Sequence, residues 1–142
     1  MENNLYDKLH NTIKINVPLN LTCANPTKQK NFKGHAISNE SDKYRILQNR
    51  KGHHNKNNLS YLMFHGNNDI MIRVDLNGQT HNGIRTPHVH IFNEDYNDGK
   101  IAIPLNGLKD YNVTDDIIES LAEFLKFNNF DLDSVTINKT LI

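Results

Sequence analysis

Cysteine is nearly missing from this chain: Cys23 is the only one in 142 residues. A lone cysteine excludes an intrachain disulfide and rules out the usual thiolate zinc knuckles. Tryptophan is absent, which leaves 6 Phe and 5 Tyr as the aromatic content. No apolar run approaches the length needed to span a bilayer, and the opening MENNLYDKLH lacks the layout of a signal peptide. These absences predict a soluble protein of a reducing cytosol. No Gly-x-Ser-x-Gly elbow and no Gly-rich phosphate loop occur, so serine-hydrolase and P-loop chemistry have no foothold. Lysine and arginine never form a concentrated run, and the sequence does not indicate a nucleic-acid interface.

What is present fits one domain. Hydrophobic residues make up 37% and charged residues 23%, a polar but globular balance. The length suits one core and is short for two. The net charge of zero hides an asymmetry: residues 1–92 carry 12 Lys+Arg against 6 Asp+Glu, and residues 93–142 carry 4 against 10. The parts are therefore +6 and −6. The acidic part could face a basic protein groove, or both could be plain solvated surfaces.

Hydrophobic periodicity orders the elements. Leu5, Leu9 and Ile13 predict a short amphipathic helix over 4–14, with His10 beside its stripe. Pro18 and Pro26 bracket an irregular stretch holding Cys23. Period-two patterns predict strands at 32–38, 43–51, 59–65 and 70–76, an antiparallel meander. His53 and His54 lie in the polar loop 52–58 and read as solvated. A loop over 77–86 carries His81, and Pro87 opens a strand at 88–92. NEDYNDG (93–99) is a tight polar turn that misses the calcium-loop pattern. A strand follows at 100–105. Thr114 is a good N-cap, with Asp115 and Asp116 at the positive end of a helix over about 114–127. A final strand is expected within 134–142. The sum is a single α+β domain over 1–142: an antiparallel sheet of about five to seven strands, an N-terminal helix and a covering C-terminal helix.

The chemistry concentrates at His88-Val89-His90. Residues i and i+2 of a strand point to one face, so two imidazoles aim at one point. Arg73 and Asp75 share a face of the preceding strand, and His65 is expected to join it. Zinc needs three or four donors at about 2.0–2.3 Å, which His81, His88 and His90 could supply, with Asp75, His65, Cys23 or water as the fourth. Asp75 could instead hold a ligand histidine in place. The alternative is an ordinary strand whose histidines face solvent. With an open position the metal would activate water, and His65 or Asp75 could handle the proton. A metal-free ribonuclease using paired histidines with Arg73 or Arg50 is a further reading. The cupin pattern fails because no histidine follows His90, and the histidine-triad hydrolase pattern fails because Phe92 stands at its third place.

R-V-D-L-N-G (73–78), His81, T-P-H-V-H-I-F (86–92) and A-I-P-L (102–105) resemble a small domain family of uncharacterised function from low-GC bacteria and their phages, which suits the wealth of Asn and Lys. In size, composition and zinc site the chain also resembles metal-containing anti-CRISPR proteins directed at the type II RNA-guided nuclease. That resemblance implies a stoichiometric inhibitor with structural zinc, acting in the host cytoplasm and blocking nucleic-acid access to a basic channel. Glu94, Asp95, Asp98, Asp115, Asp116 and Glu119 would meet the partner and mimic phosphate charge. The competing expectation is a small metal- or His-dependent ribonuclease toxin.

Overall fold

A computed structural model describes residues 1–51, 58–78 and 83–140. In chain order the elements are α1 (Asn3–Asn11), β1 (Lys14–Asn16), β2 (Asn20–Thr22), β3 (Gln29–Ala36), β4 (Asn39–Asn49), β5 (Ser60–His65), β6 (Asp69–Asp75), β7 (His88–Ile91), β8 (Ala102–Pro104), α2 (Ile117–Phe127) and β9 (Thr136–Asn138). The expected α+β architecture is what forms. Seven strands make one antiparallel sheet in the order β1-β3-β4-β5-β6-β7-β8, and β2 pairs with β9 in a small parallel sheet. The sheet is a meander from β3 onward; the two residues between β3 and β4 and the three between β5 and β6 leave no room for the crossover that a parallel pair needs. Among the described residues no helix is long and apolar enough to cross a membrane.

Four local expectations change, the first at the N-terminal helix, which ends at Asn11 and buries Tyr6 and Leu9 while Leu5 and Ile13 of the expected stripe are exposed. The stretch around Pro18 contributes two three-residue strands, too short to show alternation. The N-cap of α2 is Asp116 rather than Thr114: its carboxylate accepts from the backbone N–H of Ile118 and Glu119. The polar turn becomes a 3-10 segment, Glu94–Gly99, with Asn97, Asp98 and Gly99 all at positive φ.

Register divides the sheet into two faces. One face carries the cross-strand rows Phe32, Ile46, Met63, Ile72, Ile91 and Gln48, Tyr61, Val74, Val89. Both helices cover it: Tyr44 Oη donates to Leu9 O of α1 at 3.2 Å, and the Tyr61 ring stacks on Phe124 of α2 at 5.2 Å. The core lies here, with Ile46, Met63, Val74, Phe124 and Leu125 fully buried. Burial at about 25 cal/mol per Å² of apolar surface is what holds the helices down.

Two polar side chains on this covered face, Lys14 and Gln48, are satisfied inside it. Lys14 is 0% exposed, and its ammonium donates to the carbonyls of His10, Thr12 and Asn128 at 3.0, 2.9 and 2.7 Å. It thereby joins the C-terminal ends of both helices, where the dipole favours a cation. Burial pulls its pKa down to about 7. Gln48 Nε2 donates to Tyr61 Oη at 2.8 Å, and that oxygen lies 2.6 Å from Ser120 Oγ.

Candidate metal centre

The opposite face carries a different set. Its rows run Asn31, Leu47, Leu62, Arg73, His90, Ala102 and Asn49, Ser60, Asp75, His88, Pro104. Asp75 and His88 are cross-strand partners, as are Arg73 and His90. Partner Cβ atoms across an antiparallel pair lie about 4.5–5.5 Å apart, so strand pairing alone brings the three ligand-type side chains together. One ligand-type atom from each of Asp75, His88 and His90 lies within 4.8 Å of the others, and all three residues are buried.

The backbone fixes the imidazoles. A carbonyl can only accept, so His88 Nδ1–H donates to Ile84 O at 3.2 Å and His90 Nδ1–H donates to Gly99 O at 2.8 Å. Both rings therefore turn Nε2 toward Asp75 Oδ2, at 2.9 Å from His88 and 3.6 Å from His90. The rings meet edge to face with centroids 5.0 Å apart. Arg73 Nε reaches Asp75 at 2.9 and 3.1 Å from its two oxygens, while its side chain stays 48% exposed.

Gly99 is part of this arrangement. Its φ is +85°, and a Cβ there would stand 2.3 Å from the Phe92 ring. Only glycine presents that carbonyl to His90 without strain. Neither this carbonyl nor that of Ile84 was legible as a site member, since every residue has one. The Asn-Asp-Gly turn is the only signal that could have found it.

Asp75, His88 and His90 of the predicted ligands are brought together. His65 is not: it faces the helix side, its Nε2 lies 2.6 Å from Asp42 Oδ1, and its ring packs against Tyr44 at 5.0 Å. His65 also pairs with Asp69, at the far end of β6 from Asp75; six residues of strand separate Asp69 from Asp75, roughly 20 Å. Cys23 is buried against the helix side, donating to Ile117 O at 3.6 Å, and burial pushes its thiol pKa up. His81, like His53 and His54, lies outside the described residues.

The predicted partner-binding acids are all exposed, yet most serve the chain itself. Asp98 pairs with the Met1 amino group, and Asp95 accepts from Asn3 Nδ2 at 2.9 Å. Asp116 caps α2, and Glu119 accepts from Thr114 Oγ1 at 3.3 Å.

Residues 1–130 match a family of unknown function, DUF6978. No curated protein and no solved structure matches the chain. The match agrees with the resemblance to an uncharacterised family and adds nothing to the likeness to anti-CRISPR proteins.

Proposed function

Since the chain belongs to DUF6978, a family of unknown function, we propose from its own residues that Asp75, His88 and His90 hold one divalent transition metal, zinc first, at a site that hydrolyses phosphodiesters. The observation that carries this is the pair of Nδ1–H bonds to Ile84 O and Gly99 O, which leaves both Nε2 atoms aimed at one carboxylate oxygen. Metal-binding histidines commonly donate their other ring N–H in this way.

The donor set fits. Around a tetrahedral zinc with bonds near 2.0–2.1 Å, ligand atoms stand roughly 3.3 Å apart. The Nε2 to Oδ2 separations of 2.9 and 3.6 Å straddle that value. Two nitrogens and one carboxylate disfavour calcium and magnesium and suit zinc or iron(II). Among the described residues three protein ligands converge, the number typical of a catalytic zinc, which keeps a position for water. A bound zinc would supply an activated water and polarise a phosphoryl oxygen.

The rest of the reading comes from side chains. Arg73 sets a guanidinium beside the carboxylate with half its side chain in solvent, which favours an anionic substrate. Asp75 would be shared between ion and guanidinium, and its second oxygen keeps Arg73 in place. The ion-binding test is elemental analysis of untagged protein beside the His88→Ala/His90→Ala variant. About one zinc per chain, lost in the variant, is expected; equal metal in both proteins, or none, would overturn it. The hydrolytic step is tested by cleavage of single-stranded RNA and of bis(p-nitrophenyl) phosphate.

A second reading rests on the exposure of Glu94, Asp95, Asp98, Asp115, Asp116 and Glu119. Here the zinc is structural and the acidic segment docks on a basic protein, such as the type II RNA-guided nuclease of a bacterial host, in its cytoplasm. Glu94→Lys/Asp115→Lys would abolish inhibition of that nuclease while leaving metal content unchanged. Retained inhibition would remove this reading.

A further inference from the structure

The sheet face that holds the metal centre is one-sided in charge. From β3 to β7 its strand positions include Lys33, Lys43, Arg45 and Arg73, and on the cross-strand rows of the described residues its carboxylate is Asp75 within the centre. Lys33, Lys43 and Arg73 are exposed. These cations stand far apart in sequence, so no basic run announces them, and strand pairing gathers them.

Between them lie flat, partly uncovered groups. Leu47, Leu62 and Phe64 are only half-buried, unlike their neighbours Ile46, Tyr61 and Met63. Arg45 Cζ stands 4.0 Å from the centroid of the Phe64 ring, and its Nη1 donates to Asn31 Oδ1 at 2.7 Å. Lys33, Arg45 and Phe64 form one cross-strand row, and the next row runs Leu47, Leu62, Arg73 to His90. Neighbouring strands lie about 4.8 Å apart, so β4 to β7 spans roughly 14 Å.

We infer that this face is a docking surface for single-stranded nucleic acid, whose backbone meets Lys33, Lys43 and Arg73 and whose bases lie on Arg45, Phe64, Leu47 and Leu62. Charge complementarity selects a polyanion. The planar and apolar groups select an unpaired strand, because bases within a duplex offer no free face to stack. An acidic protein would match the charge and leave the half-exposed row of Leu47, Leu62 and Phe64 unexplained. The inference deepens the hydrolytic reading by naming its substrate, and depends on that reading for turnover only.

The test is binding of fluorescent 12-nucleotide oligouridine and oligothymidine by the full chain, across a salt series. Lys33→Ala/Lys43→Ala is expected to weaken binding about tenfold and to flatten the slope of log K against log salt by about 1.4, since each strand phosphate contact contributes about 0.7. Arg45→Lys keeps the charge and loses the plane, and should also weaken binding several-fold. Lys109→Ala/Lys139→Ala, at exposed positions outside this sheet, serves as the control. Oligouridine bound more tightly than oligothymidine assigns RNA, and the reverse assigns DNA; either supports the proposal. No binding by the wild-type chain would overturn it. So would equal losses in face and control variants, full affinity in Arg45→Lys, or equal competition by polyglutamate. A His88→Ala/His90→Ala protein that binds and does not cleave leaves the surface standing. Binding without cleavage by the zinc-loaded wild type removes the hydrolytic reading alone.

Discussion

The two faces of the sheet handle buried polar atoms in opposite ways. On the helix-covered face, Lys14 ends on three carbonyls and Gln48 on Tyr61 and a backbone N–H. Those groups are used up in holding elements together. On the other face the backbone carbonyls take the Nδ1 hydrogens of His88 and His90 and turn the remaining nitrogens toward a carboxylate. Burial is similar in both places, so burial alone does not mark a functional site. Convergence of metal-binding atoms does.

The largest expected effect comes from emptying the second face. A ligand present at a thousandfold over its Kd stabilises a fold by about 4 kcal/mol. His88→Ala/His90→Ala, or a strong chelator on the wild type, should therefore lower Tm by roughly 10 °C or more, read by scanning calorimetry. The far-UV circular dichroism should stay, because the core is on the other side. A variant that melts at the wild-type temperature would show that no ion contributes. Gly99→Ala comes next. It moves a carbonyl that orients His90, and such supports are worth about 10–100-fold in metal affinity. Competition with a chromophoric chelator measures it, and unchanged affinity would show that Gly99 O does not position the ring.

Lys14 tests the closed face. Its folded pKa, about 7, is below its unfolded value, so the unfolded chain binds the extra proton between pH 7 and 10.5. Stability should rise with pH from 7 to about 8.5, by at most about 1.4 kcal/mol per unit. Urea melts between pH 7.5 and 8.5 read the slope. In that interval His10, which burial holds below its ordinary value, is neutral in both states. Above about pH 8.5 Cys23 and then the Tyr6, Tyr44, Tyr61 and Tyr111 phenols, all raised by burial, lose their protons first in the unfolded chain and oppose the slope. Lys14→Met should remove the slope while costing stability, since three carbonyls lose their donor. A slope that survives the substitution would place its origin elsewhere.

Much of this was legible in the sequence. Alternation in 70–76 and 88–92 set Arg73, Asp75, His88 and His90 on shared faces, and the stripe from Ile117 to Leu125 made a helix. The segment 59–65 defeated the same reading. Tyr61, Leu62, Met63 and Phe64 are apolar in succession, so period two assigns no inside, and His65 was expected on the metal face. Packing against α2 decided it: Tyr61 and Met63 went in, and His65 followed them. The cap of α2 shows the same limit, with Thr114, Asp115 and Asp116 all competent and the first buried turn choosing Asp116.

His65 consequently offers the finest test of the two-face division, and the smallest effect. It sits with Asp42, each side chain about a quarter exposed, and partly exposed pairs of this kind contribute about 0–1 kcal/mol. His65→Gln should therefore shift stability by less than about 1 kcal/mol and leave zinc stoichiometry and chelator competition at wild-type values. The substitution matters because His65 is a good ligand by type, and only register separates it from His88 and His90. Metal lost on changing His65 would mean that the β5–β6 pairing is shifted by one residue, which would carry Ser60 and Leu62 off the metal-bearing face as well. Metal retained means that the pairing Ser60 to Asp75 sets the membership of the centre.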